Sequence, residues 1–246
     1  MPRKIKVLWG ICSAIILLGF VVLSYQSTID RAREAALRQE ALVKQEEARK
    51  QEERKEGLAS FNPIKEIREL NALGKYKEAI ELADIAATAR PDLAIVQLWW
   101  GISLVKSGNK EEALEKFVRA AELDPTDSKT FVYWGLDLSM LGRFDEAIQK
   151  YAKAVELEPG NSNAFAYWGA ALSQMKQYPA AVEKLEKALN LNPFNADAHD
   201  GLVQTLTHQG EYDAAWQAVA RARRANITLA EETLQPLAQA RPEPAK

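Results

Sequence analysis

The residues able to do chemistry are few, and their spacing works against it. His199 and His208 are the only imidazoles in the chain. On one helix, nine residues of separation turn them about 180° apart, so they cannot share a metal ion. Cys12 is the only thiol, which excludes an intramolecular disulfide and a cysteine zinc site. No Gly-rich phosphate loop and no serine or cysteine nucleophile pattern is present. Arg221, Arg223 and Arg224 form a small basic patch, but cations near a helix C-terminus are ordinary complements of its dipole. The many Asp and Glu residues fall on the solvated faces of amphipathic helices. A formal net charge of −2 gives no nucleic-acid footprint. The reading is a chain that is not an enzyme and needs no cofactor or metal. Its function must lie in surfaces.

The surfaces are written in rings. The stretch VYWGLDL, Val132 to Leu138, returns as AYWGAAL from Ala166 and is preceded by LWWGISL from Leu98. The interval is 34 residues throughout. Trp100, Trp134 and Trp168 keep it, as do Gly101, Gly135 and Gly169. Pro91, Pro125, Pro159 and Pro193 keep it, with Ile227 in the fifth slot. Two alanine series run through five units: Ala79, Ala113, Ala147, Ala181, Ala215 and Ala86, Ala120, Ala154, Ala188, Ala222. A turn series reads Gly74, Gly108, Gly142, Lys176, Gly210.

This pattern resembles the tetratricopeptide repeat family, whose helix-turn-helix unit is 34 residues long. The resemblance covers about residues 60–227 and implies an all-α, right-handed α-solenoid of about five units. Each unit then has a first helix such as 128–141 and a second such as 145–157. Small residues at the alanine positions allow close helix packing, and the glycines at the turns can end the first helix in a left-handed conformation. Thr228-Leu229-Ala230-Glu231 reads as a capping box opening a last helix to about Gln239, disturbed by Pro236, that covers the end of the stack. Arg241 onward reads as a disordered tail.

Other material precedes the repeats. Residues 7–29 carry no charged side chain, and Val7 to Leu23 is apolar enough for a short membrane span. Trp9 and Tyr25 flank it as interfacial rings do. An uncleaved single-pass anchor is the reading for 1–29. A cleaved signal with a loose site at Val22-Leu23-Ser24 is the alternative. Arg3, Lys4 and Lys6 favour a cytoplasmic N-terminus, which makes this a single-pass inner or plasma membrane protein with a periplasmic or extracytoplasmic solenoid. Arg31, Arg33 and Arg38 weaken that bias, so the cytoplasmic-facing alternative stays open. Residues 30–57 form a charged helical linker with acid-before-base pairs Glu34–Arg38, Glu40–Lys44 and Glu46–Lys50. Ile29, Ala32, Ala36 and Val43 offer a thin heptad seam, so the linker is a solvated spacer or a short dimerising coil. The domains are thus 1–29 anchor, 30–57 linker, 58–227 repeats, and 228–246 capping helix and tail.

The resemblance also implies that first helices line a concave groove. Its positions read Ile95, Leu98, Ile102, Val105, Lys106, then Lys129, Val132, Leu136, Ser139, Met140, then Asn163, Ala166, Ala170, Ser173, Gln174, then Asp197, Asp200, Gln204, Thr207, His208. The groove is apolar in its N-terminal half and small-polar beyond. No Asn occupies the ninth position, which argues against a clamp for chaperone C-terminal carboxylates. The Trp series is packing between units, whereas Trp99, Tyr133 and Tyr167 are groove floor or further packing. The expected partner-binding residues are Leu98, Trp99, Ile102, Val132, Tyr133, Leu136, Met140 and Tyr167. The expected partner is a protein or peptide offering an amphipathic helix or apolar segment. Membrane attachment through the N-terminal helix accompanies it, homo-oligomer formation is the alternative use of these surfaces, and no nucleic acid is expected.

Overall fold

The computed structural model describes residues 33, 36–47, 49, 50 and 62–243. The chain divides into two compact units, Met1–Ser60 and Phe61–Lys246. In the first, residues 36–47, 49 and 50 are helical and exposed. Glu40 pairs with Lys44 at 2.7 Å and Glu46 with Lys50 at 3.7 Å, as acid-before-base spacing on a helix favours. The expected anchor at 7–29 and the Glu34–Arg38 pair lie outside the described residues. Among the described residues, no helix is long and apolar enough to cross a membrane.

The second unit contains eleven helices and, among the described residues, no strand. Ten form five hairpins: α1 (Pro63–Ala72) with α2 (Tyr76–Ala89), α3 (Ala94–Ser107) with α4 (Lys110–Leu123), α5 (Ser128–Met140) with α6 (Phe144–Leu157), α7 (Ser162–Gln174) with α8 (Tyr178–Leu191), and α9 (Ala196–Gln209) with α10 (Tyr212–Arg224). The last, α11, spans Glu231–Ala240. Each helix packs on its sequence neighbours, and first helices of successive hairpins also touch. This is an α-solenoid.

The repeated residues explain the geometry. All ten series alanines are buried, none more than 2% exposed, which leaves room for close backbone approach. Gly74, Gly108, Gly142 and Gly210 adopt positive φ after the first helices. Lys176 occupies the same slot with φ 59 and the same turn, its N–H bonding Ser173 O while Gln177 N–H bonds Leu172 O. A side chain in that conformation costs about 1 kcal/mol. Lys176→Gly should therefore raise stability by roughly 0.5–1 kcal/mol, read from the urea midpoint at unchanged m-value. Equal or lower stability would contradict the strain assignment. Arg90, Asp124, Glu158 and Asn192 end the second helices in near-identical extended conformations, as a following proline requires.

Gly135 has a more specific reason than helix-on-helix approach. A Cβ there would lie 2.5 Å from the Tyr151 ring, which fills the space from α6. Gly101 faces Phe117 and Gly169 faces Leu185 in the same way. Beside them, Trp100, Trp134 and Trp168 are half-buried between hairpins. Each is covered by a lysine from the second helix of its own hairpin: Lys116 at 3.8 Å, Lys150 at 3.7 Å and Lys184 at 4.8 Å from the ring centroid. The tryptophans are packing elements with a cation on one face.

Polar latches tie some first helices together. Asn71 donates to Ser103 Oγ at 2.7 Å, joining α1 to α3. Thr205 donates to Ser173 Oγ at 3.0 Å, joining α7 to α9. The same interval of 32 residues pairs Val105 with Asp137 and Ser139 with Ala171 in the sequence. Those two inner joints have no such latch, and Ser139 bonds the Tyr151 hydroxyl instead.

The end of the chain departs from expectation. Thr228 caps nothing: the N-cap of α11 is Ala230, without a side-chain cap bond. Leu229 is buried in the terminal core, and Ala230 N–H reaches Asp200 Oδ1 at 3.3 Å. Tertiary anchoring delays the helix start past the local capping signal. Pro236 sits inside α11 on an exposed stretch. Nor are residues 241–243 loose. Trp216 Nε1 donates to Arg241 O at 3.1 Å, Arg241 pairs with Asp213, and Arg223 pairs with Glu243.

Candidate functional site

Along the face lined by first helices, the ninth residue of each unit changes character. Ile102 is 4% exposed, Leu136 is half-buried, and Ala170 and Gln204 are exposed. Leu98 and Ile102 sit in the core with Leu104, Ala113 and Phe117. Trp99 is half-buried, with the Arg68 guanidinium 5.3 Å from its ring centroid. The apolar N-terminal half of the expected groove is therefore filled by its own side chains. This corrects the reading of Leu98 and Ile102 as contact surface, because large neighbours close over them.

Two cavities lie between α5 and α7. A cavity of about 470 Å³ is lined by Lys129, Val132, Tyr133 and Leu136 of α5 and by Asn163 and Tyr167 of α7. Its end wall comes from the loops after second helices, through Glu158, Asn161 and Asn192. A second cavity of about 290 Å³ is apolar, lined by Leu136, Met140, Phe144, Tyr151, Tyr167 and Ala170. Leu136 and Tyr167 line both, so the two form one groove with a polar and an apolar end. The structure thus gathers Val132, Tyr133, Leu136, Met140 and Tyr167 and leaves out Leu98, Trp99 and Ile102. Val132 contributes only an edge, being 7% exposed, whereas Tyr133 and Met140 are 36% and 53% exposed.

Why does the groove open here? Among the first helices, α7 and α9 pack most extensively, and α3–α5 and α5–α7 least. The position that carries Trp99, Tyr133 and Tyr167 carries glycine in the fifth unit, and a Cβ on Gly201 would meet Leu185 at 2.8 Å.

The polar end is ordered before any partner arrives. Tyr167 donates its hydroxyl to Asp197 Oδ2 at 3.1 Å. Burial, with Asp197 adding, pushes the Tyr167 phenol up to about 12, so it stays a donor. Hydrogen bonds from Ser128 and Asn161 hold the Glu158 carboxyl below its ordinary range. Lys129 and Asn163 are exposed. Asn163 Oδ1 accepts from Asn195 Nδ2 at 2.9 Å, which leaves its own amide hydrogens directed elsewhere.

Beneath the groove, Asp137 is 0% exposed and neither carboxylate oxygen has a hydrogen-bond partner. Burial pushes its pKa up to about 6, opposed by the Lys110 charge and reinforced by Glu111. The only visible signal was an aspartate between Leu136 and Leu138 on an apolar helix. Glu158, Asn161, Asn192 and Phe144 were missed as wall residues. Their signal was proximity to Pro159, Pro193 and Gly142, since a loop that ends one hairpin borders the next first helix.

His199 is buried and its Nε2 lies 3.0 Å from Pro193 O, whereas His208 is exposed beside the Tyr178 ring. Among the described residues, no cluster of three or more His, Cys, Asp or Glu side chains could hold a metal.

Comparison with known proteins agrees with this architecture. Residues 64–194, more than half of the chain, match the family described as Psidin, N-terminal TPR repeats region. Residues 172–226 match a tetratricopeptide repeat family. No curated protein matches the sequence. Among solved structures, pilF of Pseudomonas aeruginosa is 21% identical with a TM-score of 0.64, over 77% of this chain and 85% of that one. MamA from Desulfovibrio magneticus RS-1 is 18% identical with a TM-score of 0.59, over 67% and 96%. YrrB, described as a TPR protein with an unusual peptide-binding site, is 18% identical with a TM-score of 0.52, over 75% and 87%. These likenesses speak to the fold. With ten helices in five hairpins, a 34-residue period and a family match over more than half its length, this chain belongs to the tetratricopeptide repeat family.

Proposed function

We propose that this chain is a membrane-tethered protein-interaction module. Residues 7–29 anchor it, the charged helix sets the reach, and the solenoid captures an apolar segment of a partner protein on the extracytoplasmic side. The observation that carries the reading is the two-ended groove on α5 and α7, with an apolar floor of Leu136 and Ala170 and exposed Tyr133 and Met140 at its edges. Helix and strand ligands bind such floors through apolar anchors while polar edges fix their register.

A photo-crosslinking residue at position 133 of the full chain, activated in living cells, tests this. The expected product is a discrete adduct with another protein, lost when Leu136→Glu is added while far-UV circular dichroism is unchanged. An adduct that survives Leu136→Glu would sink the groove assignment. The second reading is a self-associating structural subunit, favoured by the exposed Leu37, Leu42 and Val43 on the charged helix. It predicts adducts made only of this chain.

A further inference from the structure

We infer, resting on that groove reading, that the captured segment is extended and dipolar: an acidic residue at Lys129, an apolar side chain on Tyr133 and Leu136 in the cavity beside it, and a basic residue at Asp197. The row formed by the second residue of successive units runs Lys129, Asn163, Asp197, one on each of α5, α7 and α9, and all three are exposed. The charge along this edge goes from positive through neutral to negative, across the first helices at the polar end of the groove.

Both charges are available. The Lys129 ammonium makes no hydrogen bond or ion pair, and the Glu158 carboxylate that feels its charge is already held by Ser128 and Asn161. Asp197 accepts only the Tyr167 hydroxyl, which leaves most of its lone pairs for an incoming ammonium or guanidinium. Tyr167 thereby presents a carboxylate next to an aromatic ring at the cavity edge, a pairing suited to a cationic side chain. Between the two charges stands Asn163. Its oxygen accepts from Asn195, and its amide nitrogen has no partner, which leaves it able to donate to a main-chain carbonyl.

The dimensions select an extended chain. Successive packed helices lie ~10 Å apart, so two steps span ~20 Å, which about six extended residues cover at ~3.3 Å each.

The test is selection from a random dodecamer phage library on the full chain held in detergent micelles. Each selected peptide is then synthesised and its affinity measured by fluorescence anisotropy. The expected consensus holds an acidic and a basic residue about six positions apart with an apolar residue between. Lys129→Glu should weaken that peptide roughly ten-fold, and exchanging the peptide's acid for lysine should recover most of the loss. An apolar consensus without charge preference, lost on Leu136→Glu, overturns the dipolar inference and leaves the groove reading standing. Clones that bind Leu136→Glu as well as the unaltered chain overturn both.

Discussion

Between pH 7.5 and 5, the stability of the solenoid should rise as the solution becomes more acidic, and Asp137→Asn should abolish the rise. Asp137 is enclosed, its oxygens are unpartnered, and burial lifts its pKa from 3.8 to about 6. The charged groups that influence it are Lys110 and Glu111 at the start of α4, while α6 presents the Tyr151 phenol, itself pushed up by burial. Because the folded-state pKa exceeds the unfolded one, the native state binds the proton more tightly. The penalty is full above pH 6, shrinks as pH falls through 6, and is gone below the unfolded value. About two units correspond to roughly 3 kcal/mol. Carboxylates with lowered pKa, such as Glu158 and Asp124, act oppositely, but only as pH drops toward 4, beneath this window. Asp137→Asn should gain about 2 kcal/mol at pH 7.5 and match the unaltered chain near pH 4.5. Urea titrations followed at 222 nm decide the matter. Parallel pH profiles for the two proteins would show that Asp137 reaches water or a partner.

The second large effect is expected at Gly135. An alanine Cβ there falls 2.5 Å from the Tyr151 ring. That ring is fully buried, and its hydroxyl lies 3.1 Å from Ser139 Oγ, so it cannot swing away into solvent. Overpacking of this kind costs about 1–3 kcal/mol, and the backbone of a helix in two interfaces leaves little relief. Gly135→Ala should lose about 3 kcal/mol, whereas Gly160→Ala, with nothing within 4 Å of its added Cβ, should change stability by less than about 0.5 kcal/mol. The double variant with Tyr151→Ala identifies the cause. Gly135→Ala should cost much less in that background, a non-additivity expected only of residues in contact. Additive losses would locate the strain elsewhere in α5.

The scaffold was legible because each of its instructions is written several times. An alanine at one position says little, but ten in register, all buried, leave one arrangement of helices. Lys176 stood out against four glycines, and its positive φ follows from the slot. The groove was legible only in part, since exposure depends on neighbours from other units. Ile102 and Leu136 are nearly the same chemistry at the same position, yet large side chains surround the first and Ala170 and Ala171 adjoin the second. The α11 start failed for a related reason. Thr228 offered a local cap, but the burial of Leu229 and the Asp200 contact carry the chain past it. Repetition reports the unit, and the differences between units decide where the surface opens.

The distribution of the polar latches has a mechanical consequence. The α1–α3 and α7–α9 joints are hydrogen-bonded, and Gln204 continues the series to Thr233 on α11 at 3.0 Å. The two joints around α5 are held by apolar packing, through Trp134 on one side and Leu138 with Ala171 on the other. Pulled from its ends, such a stack does not stretch evenly. The terminal hairpins move as stiff arms and the give is concentrated at α5, where the groove lies. A load on the chain would therefore be felt first as a change in the width of the groove.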